Sequence, residues 1–248
     1  QDLNHPREDY VNYVVALTDQ RLDTYSEFDI SSIVTSATRR FNLESNPTSI
    51  FSRPSLDASI AGFMVLLADK SFLSSQKYDL TFTGALNDSL IFSIGGFHDH
   101  RKFLINDLKS GYINGLAFSN SYMSDSDVLT KFEYEYSKYN AKVSYETYQS
   151  NSFGLNITSA LVRGWSFKAS LLHTQKSHFA DFPIFGKKKE EINSAKIEFS
   201  KTSSDKCLFA SYRVAKNDNR SSIDIYSRSN LQVTADFSYV CLMNDPGK

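Results

Sequence analysis

The sequence predicts an all-β fold, a closed antiparallel barrel of roughly 12–14 strands that crosses a membrane. Three observations predict it. Apolar and polar residues alternate with a period of two through most of the chain, a pattern that a strand sorts onto two faces and a helix mixes. The alternating segments are long, many about 9 to 14 residues against a usual strand of about 5 to 6. The longest apolar run, from Ile60 to Ala68, has nine residues. That is far short of the ~20 residues of a membrane-spanning helix but suits a tilted spanning strand of ~9–11.

The composition agrees. The chain is 41% hydrophobic and 22% charged, too apolar for disorder and too polar for a helical membrane protein. Lys and Arg number 27 against 28 Asp and Glu, so there is no global basic footprint and nucleic acid is not an expected partner. The 19 Phe and 14 Tyr, beside a single Trp, fit the aromatic girdles that a barrel sets at its two interfaces. At 248 residues the chain is expected to form one barrel over 1–241, followed by a tail over 242–248.

Strands are expected in order at about 10–18, 26–40 and 55–69. In 77–86, Tyr78, Leu80 and Phe82 oppose Lys77, Asp79 and Thr81. Strands follow at 89–97 and 111–120, with 101–106 a marginal segment. In 128–137, Phe132, Tyr134 and Tyr136 oppose Lys131, Glu133 and Glu135. A further strand is expected at 141–149. In 152–160, Phe153, Leu155 and Ile157 oppose Ser152, Asn156 and Thr158; in 164–174, Trp165, Phe167 and Leu171 oppose Ser166, Lys168 and Ser170. The segments 192–201, 206–214 and 229–241 repeat the pattern, with Lys196, Glu198, Arg213 and Asp236 on their polar sides and Ile197, Tyr212, Phe237 and Tyr239 on their apolar sides.

A sheet in hydrocarbon must satisfy all its backbone groups internally, which requires closure of its first strand on its last. The apolar faces are then expected to meet lipid. The charged faces, Lys131, Glu133, Glu135, Lys168, Lys196, Glu198, Arg213 and Asp236, are expected to line a lumen, and Tyr134, Tyr136, Trp165, Phe237 and Tyr239 to stand at the interfaces. Short periplasmic turns are expected near 138–140, 161–164 and 202–205, and longer external loops at 120–127, 175–190 and 216–228. The polar, acidic opening Gln1-Asp2-Leu3-Asn4 has no signal-peptide pattern. Gln1 is then either a mature N-terminus or a position within a longer chain.

The segment Leu231 to Cys241 resembles the final strand of bacterial outer-membrane barrels, which ends in alternating apolar residues with a Tyr two positions before a terminal aromatic. Tyr239 matches, whereas Cys241 stands where Phe is usual. The stretch Asn217 to Asn230 resembles the loop before the last strand in porin-like barrels, including those of surface lipoprotein assembly modifiers. The resemblance covers mainly residues 190–241. It implies a bacterial outer-membrane pore or export channel, with outer-membrane lipid and lipopolysaccharide as surroundings and a periplasmic or surface protein as partner. It transfers no catalytic residue.

Other clusters carry candidate chemistry. His98 and His100 share a strand face and would converge on a metal without Asp99, but the stretch reads more simply as a solvated loop. No Ser-containing hydrolase motif accompanies them, so neither an enzyme nor a metal or cofactor is expected. The run from Gly186 to Glu191 would suit lipopolysaccharide phosphates or a solvated loop. Arg39 and Arg40 suit a membrane interface or a charged sheet edge. If 206–216 pairs with 229–241, Cys207 faces the lumen and Cys241 faces lipid, and no disulfide joins them. The expected function is an outer-membrane channel for polar solutes or a secreted polymer or protein; the alternative is a structural barrel that anchors an envelope assembly.

Overall fold

A computed structural model of the chain describes residues 10–20, 30–43, 50–68, 70–161, 164–183, 185–202 and 208–239. They form one antiparallel sheet of twelve strands in chain order. The first six are β1 (Val11–Gln20), β2 (Ile30–Asn42), β3 (Ser52–Leu67), β4 (Lys70–Ala85), β5 (Leu90–Phe103) and β6 (Gly111–Met123). The others are β7 (Val128–Ala141), β8 (Tyr148–Ala160), β9 (Trp165–Phe182), β10 (Gly186–Thr202), β11 (Leu208–Ser221) and β12 (Arg228–Tyr239). Every strand pairs with its chain neighbours. An even strand number puts the start of β1 and the close of β12 at one end, here the terminal end; the opposite one is the far end.

Register sorts the side chains onto two faces, because directly paired residues in an antiparallel sheet share a side. One face carries Leu80, Leu116, Phe132, Phe153, Leu171, Ile197, Tyr212 and Val233. The other carries Ser, Thr, Asn and most of the charges. Burial follows the opposite of the soluble rule. Ser137, Ser150, Thr174 and Glu198 are buried on the polar face, whereas Leu116, Ile197 and Leu231 are 63%, 48% and 65% exposed on the apolar one. Among the described residues no helix longer than one 3-10 turn and no second sheet lies against either face. Burial on the polar side therefore requires the sheet to curl around it.

The apolar band also slants. Register carries Leu80 on β4 through Gly96 and Leu116 to Tyr136 on β7. Leu171 on β9 lines up through Leu155 with Phe132. The band thus steps toward the terminal end as it crosses the sheet, as it must if strands tilt against a level boundary. Beyond it, toward the far end, β8 to β11 continue with polar residues on both faces: Asn151, Gln175, Glu191 and Arg220 point outward.

That extension explains where the expected links differ. Segment 175–190 is not a loop: β9 runs to Phe182 and β10 starts at Gly186. Alternation fades there because both faces are polar, yet the ladder continues. Likewise 138–140 lies within β7, and of the expected loop 216–228 the first part, 216–221, closes β11 while 222–227 is the link to β12. Segment 141–149 is not a separate strand but a turn leading into β8, and β5 extends to Phe103 through the marginal segment. The count of twelve is the lower expected one. Cys207, Cys241 and the tail 242–248 lie outside the described residues.

Turn chemistry sits at both ends. At the terminal end, Asn87 Oδ1 accepts from Ser89 N–H at 2.9 Å, Ser124 Oγ accepts from Val128 N–H at 3.2 Å, and Gly164 takes φ +77°, which favours glycine. At the far end, three links each hold a single 3-10 turn: Asp107–Lys109, Ser144–Glu146 and Asp224–Tyr226. A hydroxyl residue follows each one. Ser110, Thr147 and Ser227 accept from the backbone N–H of Phe103, Ala141 and Ser221 at 2.9, 3.1 and 2.9 Å. The same turn is thus built three times.

Candidate functional site

The polar face carries the chemistry. Side chains two residues apart on a strand share a face, and charges of opposite sign repeat at that spacing. Lys77 meets Asp79 at 2.8 Å, Arg101 meets Asp99 at 2.7 Å, Lys131 meets Glu133 at 2.5 Å, and Lys188 meets Glu190 at 3.1 Å. Glu198 accepts from Lys196 at 3.0 Å and from Arg213, its cross-strand neighbour, at 3.1 Å. Arg40 grips Asp57 with two hydrogen bonds of 2.7 and 2.6 Å. Glu133 also accepts from Asn156 Nδ2 at 2.7 Å.

Seven of the eight charged residues singled out in the sequence therefore fall on one face. Lys131, Glu133 and Glu135 lie on β7; Lys168 stands opposite Glu198; Lys196 and Arg213 complete the Glu198 group. The backbone of Asp236 pairs with Ser211 on the same side, but its side chain lies outside the described set. Glu135 stands apart from the ion pairs. With Glu133 it borders a cavity of about 360 Å³ whose lining mixes small and hydroxylic residues, among them Thr81, Ser93, Gly95 and Ser152, with the larger Phe118, Tyr134 and Leu172.

Sequence reasoning missed a second group at the far end. His178 is 6% exposed, and its Nδ1 lies 2.8 Å from the carbonyl oxygen of Tyr145. A carbonyl only accepts, so Nδ1 carries the proton. The Nε2 atom is buried without a hydrogen-bond partner among the described residues and lies 3.6 Å from Glu190 Oε2. Lys188, also buried, sets its ammonium over the rings of Tyr226 and Phe182 at 3.9 and 5.5 Å. Phe182, buried, packs on the His178 ring at 5.3 Å and on Tyr145 at 5.1 Å, and buried Tyr139 reaches the group through Tyr148. The signal was present in the 186–191 run. That run suits a phosphate-binding or solvated loop by composition, but it belongs to β10, and strand geometry turns Lys188 inward.

Around the 3-10 turns, Lys109 pairs with Glu146 at 3.3 Å, Lys142 pairs with Asp107, and the Tyr139 hydroxyl donates to the Lys109 carbonyl. The Lys142 ammonium holds the Asp107 carboxyl below its ordinary range. His98 and His100 are not in a loop. They lie on β5 with their side chains on the apolar-face side, and Asp99 points the other way. His98 meets Asn114 at 2.7 Å and stacks on Tyr112. Among the described residues no three His, Cys, Asp or Glu side chains gather as metal ligands.

The apolar face holds an aromatic arc near the terminal end. Phe51 packs against Phe82 and Phe92 at 5.6 and 5.9 Å, Phe92 against Phe118 at 4.9 Å, and Phe118 against Phe132 at 6.4 Å. The sequence pointed instead to Tyr134, Tyr136 and Trp165, which do share this face. Tyr134 packs on Phe153 at 5.0 Å, Tyr136 is 37% exposed, and Trp165 stacks under Lys201 at 5.2 Å. Phe237 and Tyr239 pair by backbone with Ala210 and Leu208, and their side chains lie outside the described set. Phe51 escaped notice because it precedes a strand, and only the hairpin places it over β4 and β5.

No protein-family model matches this sequence, and no curated protein matches it.

Proposed function

We propose that the twelve strands close into a barrel in a bacterial outer membrane, with β12 pairing on β1, and that the polar interior forms a channel for polar solutes or a secreted polymer or protein. The observation that carries this reading is the inverted burial: ion pairs and hydroxyls inside, Leu, Ile and aromatic side chains outside. Such a surface is costly in water and stabilising in acyl chains. The slanted apolar band and the terminal-end aromatic arc support it, since tilted strands and an interfacial girdle go together in lipid. The polar extension of β8 to β11 suits a part that stands clear of the hydrocarbon, among lipopolysaccharide headgroups. No catalytic step is assigned.

A second reading has its own support. Tyr139, Tyr148, Phe182 and the Lys188 group crowd the inner side of the far end, which suits a filled barrel that anchors a surface or envelope partner. One experiment separates the two. The purified chain should fold only with detergent or lipid, migrate differently on a gel when unheated, and give unitary conductance in planar bilayers. Insertion without conductance favours the anchoring barrel. Folding to a monomer without detergent dismisses both.

A further inference from the structure

The inner charges are unevenly placed. On β2 to β7 the polar face sets Arg40, Lys77, Arg101 and Lys131 against Asp57, Asp79, Asp99 and Glu133, each in an ion pair, with Glu135 in addition. On β9 to β12 the same face carries Lys168, Lys176, Lys188, Lys196, Arg213 and Arg228. Among the described side chains Glu190 and Glu198 oppose them there, and Asp236 adds a third acid on this face by its backbone pairing with Ser211, still half the number of cations. Glu190 is engaged by Lys188, and Glu198 by Lys196 and Arg213. Lys168, Lys176 and Arg228 form no ion pair among the described residues. The chain as a whole has a formal net charge of -1, so this excess is local.

We infer that the β9–β12 wall makes the interior selective for anions, small solutes bearing carboxylate, phosphate or sulfate groups, over cations. This rests on the channel reading. Cations lining a narrow aqueous path raise the local concentration of mobile anions and repel cations. The wall also offers hydroxyl donors: Ser152 and Thr174 meet at 2.9 Å, between the rungs that hold Lys168 and Lys176, and Ser166 and Ser200 meet at 2.6 Å, one inward-facing step beyond Lys168 toward the terminal end. On the opposite wall the acids Asp57, Asp79, Asp99 and Glu133 are matched by bases, and Glu135 borders the cavity beside Glu133.

The test is the reversal potential of the full chain in planar bilayers across a KCl gradient. The expected result is a chloride-to-potassium permeability ratio of roughly two or more. The double variant Lys168→Glu, Arg228→Glu should bring the ratio to one or below; both residues are exposed within the sheet, and its heat-modifiable gel migration checks that it folds. Conductance that is unselective or cation-selective in the unaltered protein overturns the inference and leaves the channel reading standing. An unchanged ratio in the folded variant overturns the assignment to this wall. A protein that inserts and never conducts overturns the channel reading and the inference together.

Discussion

Lys188 holds its ammonium 3.9 Å from the centre of the Tyr226 ring, and this contact ties β10 to the turn that joins β11 to β12. Lys188 is buried while Tyr226 is 39% exposed, so the ring shields the charge from water on one side, with Glu190 at 3.1 Å on another. Replacing Tyr226 with Leu keeps an apolar cover and removes the ring's negative face. About 0.5–2 kcal/mol of stabilisation should be lost, concentrated in the far-end turns. Amide exchange at 222–227 should quicken while that in mid-strand β7 and β8 stays unchanged. Equal protection in both proteins would show that the contact holds nothing in place.

The three 3-10 turns predict a graded alanine series. Ser110, Thr147 and Ser227 each accept one backbone N–H. Loss of an ordinary hydrogen bond costs about 1 kcal/mol, and a donor left buried and unsatisfied costs about 1–3. Ser110 is 3% exposed, so Ser110→Ala should destabilise more than Thr147→Ala or Ser227→Ala in denaturant unfolding from detergent. Reversal of that order would refute the burial argument.

The lipid-facing assignment makes a prediction of unusual sign. Ile197 is 48% exposed, and on a water-soluble sheet Ile197→Arg would be nearly neutral. In a bilayer an arginine near the midplane of the lipid face costs about 2–4 kcal/mol. Gln175→Arg, on the same face beyond the apolar band, should cost close to nothing. Folding free energies in phospholipid vesicles test the contrast, and equal costs at the two sites would remove the basis for a hydrocarbon boundary between them.

Gly111 opens β6 against the end of β7. A Cβ built there would lie 2.8 Å from Ala141 Cα and closer still to the Asn140 carbonyl, both backbone atoms that cannot step aside. Gly111→Ala should therefore destabilise by about 1–3 kcal/mol through displacement of the β6–β7 pairing. Faster exchange at Tyr112 and Asn140 would mark it; a variant as stable as the parent would not fit this packing.

Titration of Asp107 gives a pH test outside the strands. Its carboxyl is held below the ordinary range by the hydrogen bond from Lys142. A lowered folded value means that this contribution is complete above the ordinary carboxylate range and disappears as pH falls through the folded value. Carboxyl chemical shifts should place the Asp107 midpoint below that of an unfolded chain, and Lys142→Met should move it upward. A midpoint that ignores Lys142 would break the link.

How much was legible beforehand depended on chemistry at each position. Lys131, Glu133 and Glu135 declared their common face because Phe132, Tyr134 and Tyr136 lie between them, and a strand has only two sides. Lys196 and Glu198 did the same around Ile197. Lys188 did not, because Lys187 and Lys189 flank it and three like residues carry no alternation. A bulge in the pairing between Lys187 and Lys189 added a shift that no periodicity reveals. Phe51 was silent for another reason: it belongs to no alternating run, and its neighbours Phe82 and Phe92 are some 30 and 40 positions away along the chain.

The amino-acid order by itself determined the local conformation and its two-sidedness, since period-two alternation is a property of consecutive residues and needs no distant partner. Register, the slant of the apolar band, the burial of His178 and Lys188 and the imbalance of charge between the two walls were decided only when twelve strands stood side by side. Each of these depends on which residues meet across strands, and that is set by hydrogen-bonded pairing and curvature of the whole sheet rather than by any one segment.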